Sequence, residues 1–267
     1  MKTIVTIGGY LKEGGEGAGS WLDMWFDTPI EIDREIVKLT GKKAPRVLFI
    51  PTASSDSRGY EAAFRKNYEG KLNCEVDVLK LVREKSSPKG IQTKIDWADI
   101  IYVGGGNTLK MMKKWRRLGV DKMLKRAWEQ GKVLCGVSAG SICWFEYGIS
   151  DSLHFYNSKE TKYIRVRGLG FLKGIHNPHF GSEREDCKYR TKGMKEIMQR
   201  SKGKCLGVPD ACAVIFEGNH YRVIGKPEAS QVWYEKGKYC ERQIPREGVS
   251  GAQLDDTHER GFNGGLF

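Results

Sequence analysis

Short apolar runs recur along the chain, separated by stretches whose apolar residues fall at helical spacing. Thr3 to Ile7, Val47 to Pro51, Asp99 to Val103 and Val133 to Val137 are apolar on both faces, as strands buried in a parallel sheet must be. Glu75 to Leu79 alternates apolar with polar residues and reads as an edge strand. Glu31 to Leu39, Tyr60 to Tyr68, Leu109 to Leu118 and Asp121 to Gln130 lie between the strands and carry helical stripes, of which Leu109, Met112, Trp115 and Leu118 form one. Strands alternating with helices predict an α/β domain whose mainly parallel sheet is flanked by crossover helices.

Past Ser150 the texture changes. Asp151 to Leu172 is polar and spotted with glycine, and a helix is expected from Arg184 to Met198. Short strands then begin at Lys204, Ala213, His220 and Gln231, parted by turn signals such as Glu217, Gly218 and Asn219, which predicts an antiparallel extension completing the sheet. From Arg246 to Phe267 glycine and charge occur without period. We therefore expect one hydrolytic domain over residues 1–245 and an extended C-terminal segment over 246–267.

Composition narrows the classes. The 267 residues hold 45 Lys and Arg against 33 Asp and Glu, a net charge of +12, with 39% hydrophobic and 10% aromatic residues. That apolar content offsets the entropy of ordering and excludes a disordered chain. No apolar run approaches the roughly 20 residues that a bilayer span needs, so no membrane partner is expected. The first strand is broken by Gly8 and Gly9 and followed by Lys12 and Glu13, unlike a secretory leader, so the chain reads as cytoplasmic. Seven cysteines, an odd number without a CxxC pair, suit reduced core thiols. His176 and His179 form an HxxH without an evident third ligand, so neither a metal nor an organic cofactor is expected.

The chemistry concentrates in Val133 to Ser141, a buried strand running into GlyValSerAlaGly and then a helical stretch. This is the GxSxG elbow in its required context: Gly136 and Gly140 let neighbouring backbone pack closely while Ser138 projects its hydroxyl above the sheet. A second glycine-rich turn, Tyr102 to Thr108, follows the preceding strand and fits neither a dinucleotide-binding nor a P-loop pattern. Side by side at the carboxyl edge of one sheet, the two turns frame a ligand crevice. There the amides of Gly106 and Ala139 are placed to form an oxyanion hole, with Asn107 and Thr108 as substrate contacts. A serine nucleophile needs a base, and among five histidines His179 stands at a strand end behind Pro178. Asp210, in ValProAsp, ends another apolar run. The order Ser138, His179, Asp210 departs from the serine, acid, histidine order of α/β-hydrolases, which would require Ser138, Asp210 and His258. Geometry rather than order decides a triad.

Taken together, ValGlyGlyGlyAsnThr at 103–108, GlyValSerAlaGlySer at 136–141, AsnProHisPhe at 177–180 and ValProAsp at 208–210 resemble the peptidase E (alpha-aspartyl dipeptidase) family of serine peptidases, related to the cyanophycinases. The resemblance implies a class I glutamine amidotransferase-like fold with serine at the elbow. It also implies Ser138 as nucleophile, His179 as general base and Asp210 as its orienter, acting on a small peptide through an acyl-enzyme. It further implies an arginine after AsnProHis that holds an N-terminal aspartate side chain, for which Arg184 is the candidate. The insertion from Lys12 to Pro29, with Trp21 and Trp25, departs from shorter members.

Two other readings stand beside this one: a cyanophycinase-like or other small-peptide amidase on the same triad, and a non-catalytic basic binding protein of the same fold. The basic run from Lys110 to Arg126 reads as the solvated face of two helices, because apolar residues interleave it at helical spacing. It matches no nucleic-acid recognition module, so a nucleic-acid partner is not expected. A homo-oligomer is compatible with the sequence.

Overall fold

The computed structural model describes residues 1–10, 30–156, 162–182, 187 and 189–249. The insertion with Trp21 and Trp25, Arg184, His258 and the segment from Ser250 onward lie outside the described residues.

An eight-stranded sheet runs through the middle of the molecule, and its order is β14-β11-β10-β1-β5-β4-β2-β3. Five strands are parallel neighbours: β1 (Thr3–Ile7), β5 (Val133–Val137), β4 (Ile100–Val103), β2 (Arg46–Ile50) and, at the edge, β3 (Glu75–Val78). The period of two along these strands divides the core in two. Val5, Val47, Phe49, Tyr102 and Cys135 face helices α1 (Ile30–Lys38) and α2 (Arg58–Tyr68), packing on Ile32, Ile36, Phe64 and Tyr68. Ile4, Leu48, Ile101 and Leu134 face the opposite way, toward α3 (Pro88–Trp97), α4 (Thr108–Leu118) and α5 (Val120–Glu129). The basic residues of α4 and α5 mostly lie outside this packing: Met111, Met112, Trp115 and Leu124 are buried, while Lys113, Arg116, Arg117, Lys122 and Lys125 are exposed. Helix α3 was not anticipated, although Ser87 accepts from the Gly90 amide as its N-cap and Pro88 opens it. Only Ile91 and Ile95 are buried along it, too sparse a stripe to stand out in the sequence.

The C-terminal half departs further from expectation. Its strands do not simply complete one sheet. β10 (Cys212–Glu217) joins the main sheet antiparallel to β1, and β11 (His220–Gly225) pairs antiparallel with β10. A second, six-stranded sheet of order β13-β12-β9-β8-β6-β7 is built from β6 (Phe145–Ser150), β7 (Ile164–Arg167), β8 (Leu172–Pro178), β9 (Cys205–Val208), β12 (Ser230–Glu235) and β13 (Lys238–Gln243). The polar texture after Ser150 hides β7, since Arg165 and Arg167 are exposed while Val166 is buried. The expected helix forms as α7 (Arg190–Gln199), beginning later than its pattern implied. Residues 247–249 form β14 (Glu247–Val249), which pairs with β11 at the edge of the main sheet.

Candidate active site

Strand β5 ends in the elbow. Ser138 holds φ 55° and ψ −116°, a positive φ outside the usual regions for a side-chain-bearing residue, and its amide donates to the Ile7 carbonyl at 3.1 Å. The flanking glycines are required by contact. A β-carbon at Gly136 would lie 2.3 Å from the Gly140 carbonyl oxygen, and one at Gly140 would lie 2.1 Å from that of Val103. The short helix α6 (Ala139–Ile142) then leads away. Cys135 and Cys143, beside the elbow, are fully buried, and burial pushes both thiols well above their usual range, which disqualifies them as nucleophiles.

Two more strand ends converge on Ser138. β8 and β9 are parallel, with Pro178 opposite Val208, so their carboxyl ends emerge side by side. His179 follows β8, and Asp210 sits where the chain leaves β9 in the second sheet to enter β10 in the first. Ser138 Oγ lies 2.9 Å from His179 Nε2, and His179 Nδ1 lies 2.5 Å from Asp210 Oδ1. The other carboxylate oxygen, Oδ2, accepts from the Ser182 hydroxyl at 2.9 Å. With Nδ1–H donating to a buried carboxylate, Nε2 is left to accept from the serine hydroxyl. His258 is not needed to complete the set.

Strain gathers at the same place. Ser138, His179 (φ 53°) and Ala211 (φ 57°), next to Asp210, all take left-handed backbone that non-glycine residues rarely adopt. The site also depends on residues that the sequence reading passed over. Gly9 bridges to Asp210, and its carbonyl accepts the Ala211 amide at 2.9 Å. A β-carbon on Gly9 would lie 2.0 Å from Asp210 Oδ1 and 2.4 Å from His179 Nδ1. Gly8 is equally confined, 2.0 Å from the Pro209 carbonyl oxygen. Two consecutive glycines straight after a buried strand were the available signal.

The glycine turn after β4 lies against the loop that follows β2. Gly106 has φ 133°, and a β-carbon there would meet the Ala53 carbonyl oxygen at 2.4 Å. Asn107 borders the cavity, but its side chain is spent on structure: Oδ1 caps α4 at the Lys110 amide and Nδ2 donates to the Ser152 carbonyl. Thr108, expected as a substrate contact, is buried, and its hydroxyl accepts from that of Ser150 at 3.2 Å.

A cavity of about 740 Å³ opens over these residues, large enough for a short peptide. Ser138, His179 and Gly106 line it, with the exposed Phe155 and Tyr156, the Asp151 carboxylate and Arg190. Arg190, at the start of α7, is 5% exposed; its guanidinium donates to the Ile149 carbonyl and stands 3.5 Å from Asp151 Oδ2, over the Tyr163 ring. Nothing in the sequence separates Arg190 from its basic neighbours. His176, one turn of strand before His179, is committed elsewhere: Nδ1 donates to the Leu206 carbonyl and Nε2 meets the Ser141 hydroxyl at 2.8 Å. Burial pushes the His176 ring down to about 3, so it is neutral. Among the described residues no cluster of His, Cys, Asp and Glu is grouped as a metal site.

The α/β architecture is of the class I glutamine amidotransferase type, with a serine at its strand-to-helix elbow. Residues 26–224 match peptidase family S51, and the chain belongs to that family, which makes it a serine-type peptidase. It is 36% identical over 185 residues to an uncharacterized peptidase, YgaJ, of Bacillus subtilis, covering 69% of this chain and 71% of that one. Peptidase E of Shewanella amazonensis is 25% identical, over 86% of this chain and 93% of its own length. Among solved structures, a peptidase from an acI-B1 Actinobacterium superposes with a TM-score of 0.68 at 16% identity, covering 92% of this chain and 96% of that one. A putative peptidase E protein from Listeria monocytogenes does so with 0.60 at 20% identity, covering 85% and 100%.

Proposed function

We propose that the protein hydrolyses short peptides with an acidic first residue, through an ester on Ser138. What carries the reading is the continuous hydrogen-bonded relay from Ser138 Oγ through His179 to Asp210 on the wall of a peptide-sized cavity. As Ser138 Oγ attacks the scissile carbonyl, His179 Nε2 takes its proton, and Asp210 holds the ring and offsets the imidazolium charge. The amides of Gly106 and Ala139 receive the developing oxyanion. His179 then gives its proton to the leaving amine, and a water repeats the sequence on the ester. The family resemblance nominates Arg184 to hold an acidic side chain. Arg190, which lines the cavity beside Asp151, is the arginine assigned that role in this proposal.

The test is mass-spectrometric hydrolysis of dipeptides and tripeptides beginning with Asp, isoAsp, Glu, Asn or Ala. Wild type is run beside Ser138→Ala and Arg190→Gln. Cleavage of acid-first peptides is expected, reduced about 10⁶-fold in kcat by Ser138→Ala. Arg190→Gln should abolish the preference for Asp over Ala. Turnover retained in Ser138→Ala removes the acyl-enzyme, and equal losses on Asp-first and Ala-first peptides remove Arg190 from its role.

A further inference from the structure

The cavity wall beside Gly106 carries a second cation whose partners differ from those of Arg190. Lys110 rises from the first turn of α4, and its Nζ donates to Ser55 Oγ at 2.8 Å. Both side chains line the cavity with Ser54. Asp151 accompanies Arg190, whereas no carboxylate pairs with Lys110 among the described residues.

The loop that presents Ser55 is held from behind. Ser55 and Asp56 take φ 59° and 56°, a left-handed pair that persists because neighbours over-determine it. Asp56 is buried and accepts the amides of Val82 at 2.6 Å and Arg83 at 2.8 Å. Trp115 Nε1 meets the Thr52 hydroxyl at 3.2 Å, and Arg83 Nε donates to the Ser55 carbonyl at 3.2 Å. The Ser55 hydroxyl is thereby fixed in place at the cavity wall.

The donor count at this spot is unbalanced. Lys110 spends one of its three N–H donors on Ser55, whose own hydroxyl proton is then free to donate outward. Lys110 is exposed, so solvent meets its remaining donors, and an acceptor-only group entering the cavity can replace that solvent; a carboxylate is the peptide group of that kind. The spot adjoins the Gly106 turn, since Ala53 and Ser54 are the atoms a Gly106 side chain would strike. Ser138, Ser55 and Lys110 line one cavity, so the far end of a short peptide held at Ser138 shares that space with them.

We propose that Lys110 and Ser55 form a subsite for the free C-terminal carboxylate of the peptide, which confines the enzyme to short substrates. The inference rests on the peptide-hydrolase reading of the same cavity. Lys110 is exposed like Lys113, and what distinguishes it is its place on the cavity wall.

The experiment pairs each acid-first dipeptide with its C-terminal amide. Turnover is measured in wild type, Lys110→Gln, Lys110→Arg and Lys113→Gln, the last an exposed residue of the same helix with the same charge change. Binding of both ligands to Ser138→Ala and Ser138→Ala/Lys110→Gln is measured by calorimetry. Wild type should favour the free acid over the amide in kcat/KM by about tenfold or more, the scale of one charge-assisted hydrogen bond. Lys110→Gln should erase that ratio through KM, Lys110→Arg should restore part of it, and Lys113→Gln should leave it alone. Equal losses on acid and amide, or an unchanged ratio, overturn the subsite. If no peptide is turned over but the calorimetric acid preference is present and depends on Lys110, the hydrolase reading fails and the subsite stands. Absence of that preference in Ser138→Ala overturns the subsite whatever the turnover.

Discussion

Gly9 shows how little room the catalytic geometry leaves. Its missing side chain is the space that Asp210 Oδ1 and His179 Nδ1 occupy, so Gly9→Ala must push the carboxylate away from the ring. We expect kcat to fall about 10²- to 10⁴-fold, toward the loss seen when a triad carboxylate no longer orients its histidine. Overpacking of this kind costs about 1–3 kcal/mol in stability. Steady-state kinetics with thermal unfolding checks both; a variant with normal kcat would show that the loop relaxes without moving Asp210. The same economy holds at Ser138, His179 and Ala211, whose left-handed backbone is tolerated because strand ends and interlocking amides pin each one.

At the scale of elements, α1 and α2 bury a carboxylate that the proposed chemistry leaves unused. Asp33 accepts from Tyr68 at 2.8 Å and Asn67 at 2.7 Å, and it faces Tyr10, whose hydroxyl closely meets that of Tyr102. Burial dominates and raises Asp33 from 3.8 to about 6, against the hydrogen bonds from Tyr68, Asn67 and Tyr10 and the charge of Lys71, which lower it. The folded chain thus holds this proton more tightly than the unfolded one. Its contribution is present below about pH 4 and lost as pH rises through about 6, a change on the order of 3 kcal/mol. His176 acts in the opposite sense, losing stability as pH falls from 6.5 toward about 3. Because only Asp33 differs, the melting temperature of wild type relative to Asp33→Asn should fall between pH 4 and 7, read by calorimetry. A difference that does not vary with pH would mean that Asp33 stays ionised throughout.

Over the whole molecule, the net charge of +12 surrounds a cavity whose wall carries Lys110 and Arg190. A basic field concentrates acidic substrates, and salt screens it. For Asp-first peptides, kcat/KM should fall several-fold between about 0.02 and 0.5 M salt, while Ala-first peptides of the same length change less. Stopped assays across that range test it, and identical salt responses would remove long-range steering.

The sequence by itself determined the parallel half of the main sheet, with β3 at its edge, because buried strands and amphipathic helices announce themselves through local period. It also determined the elbow: Gly136 and Gly140 are adjacent in the chain to the serine they serve, so their spacing carries the geometry. Ser138, His179 and Asp210 were legible as residues, each at the end of an apolar run. Their meeting was not. It depends on β8 and β9 lying parallel in a second sheet and on the chain changing sheets at Asp210, long-range pairings that leave no local pattern. For the same reason Gly8 and Gly9 read as a mere strand break, and Arg190 as one basic residue among several. Only packing decides which glycine faces a carboxylate and which arginine faces a cavity.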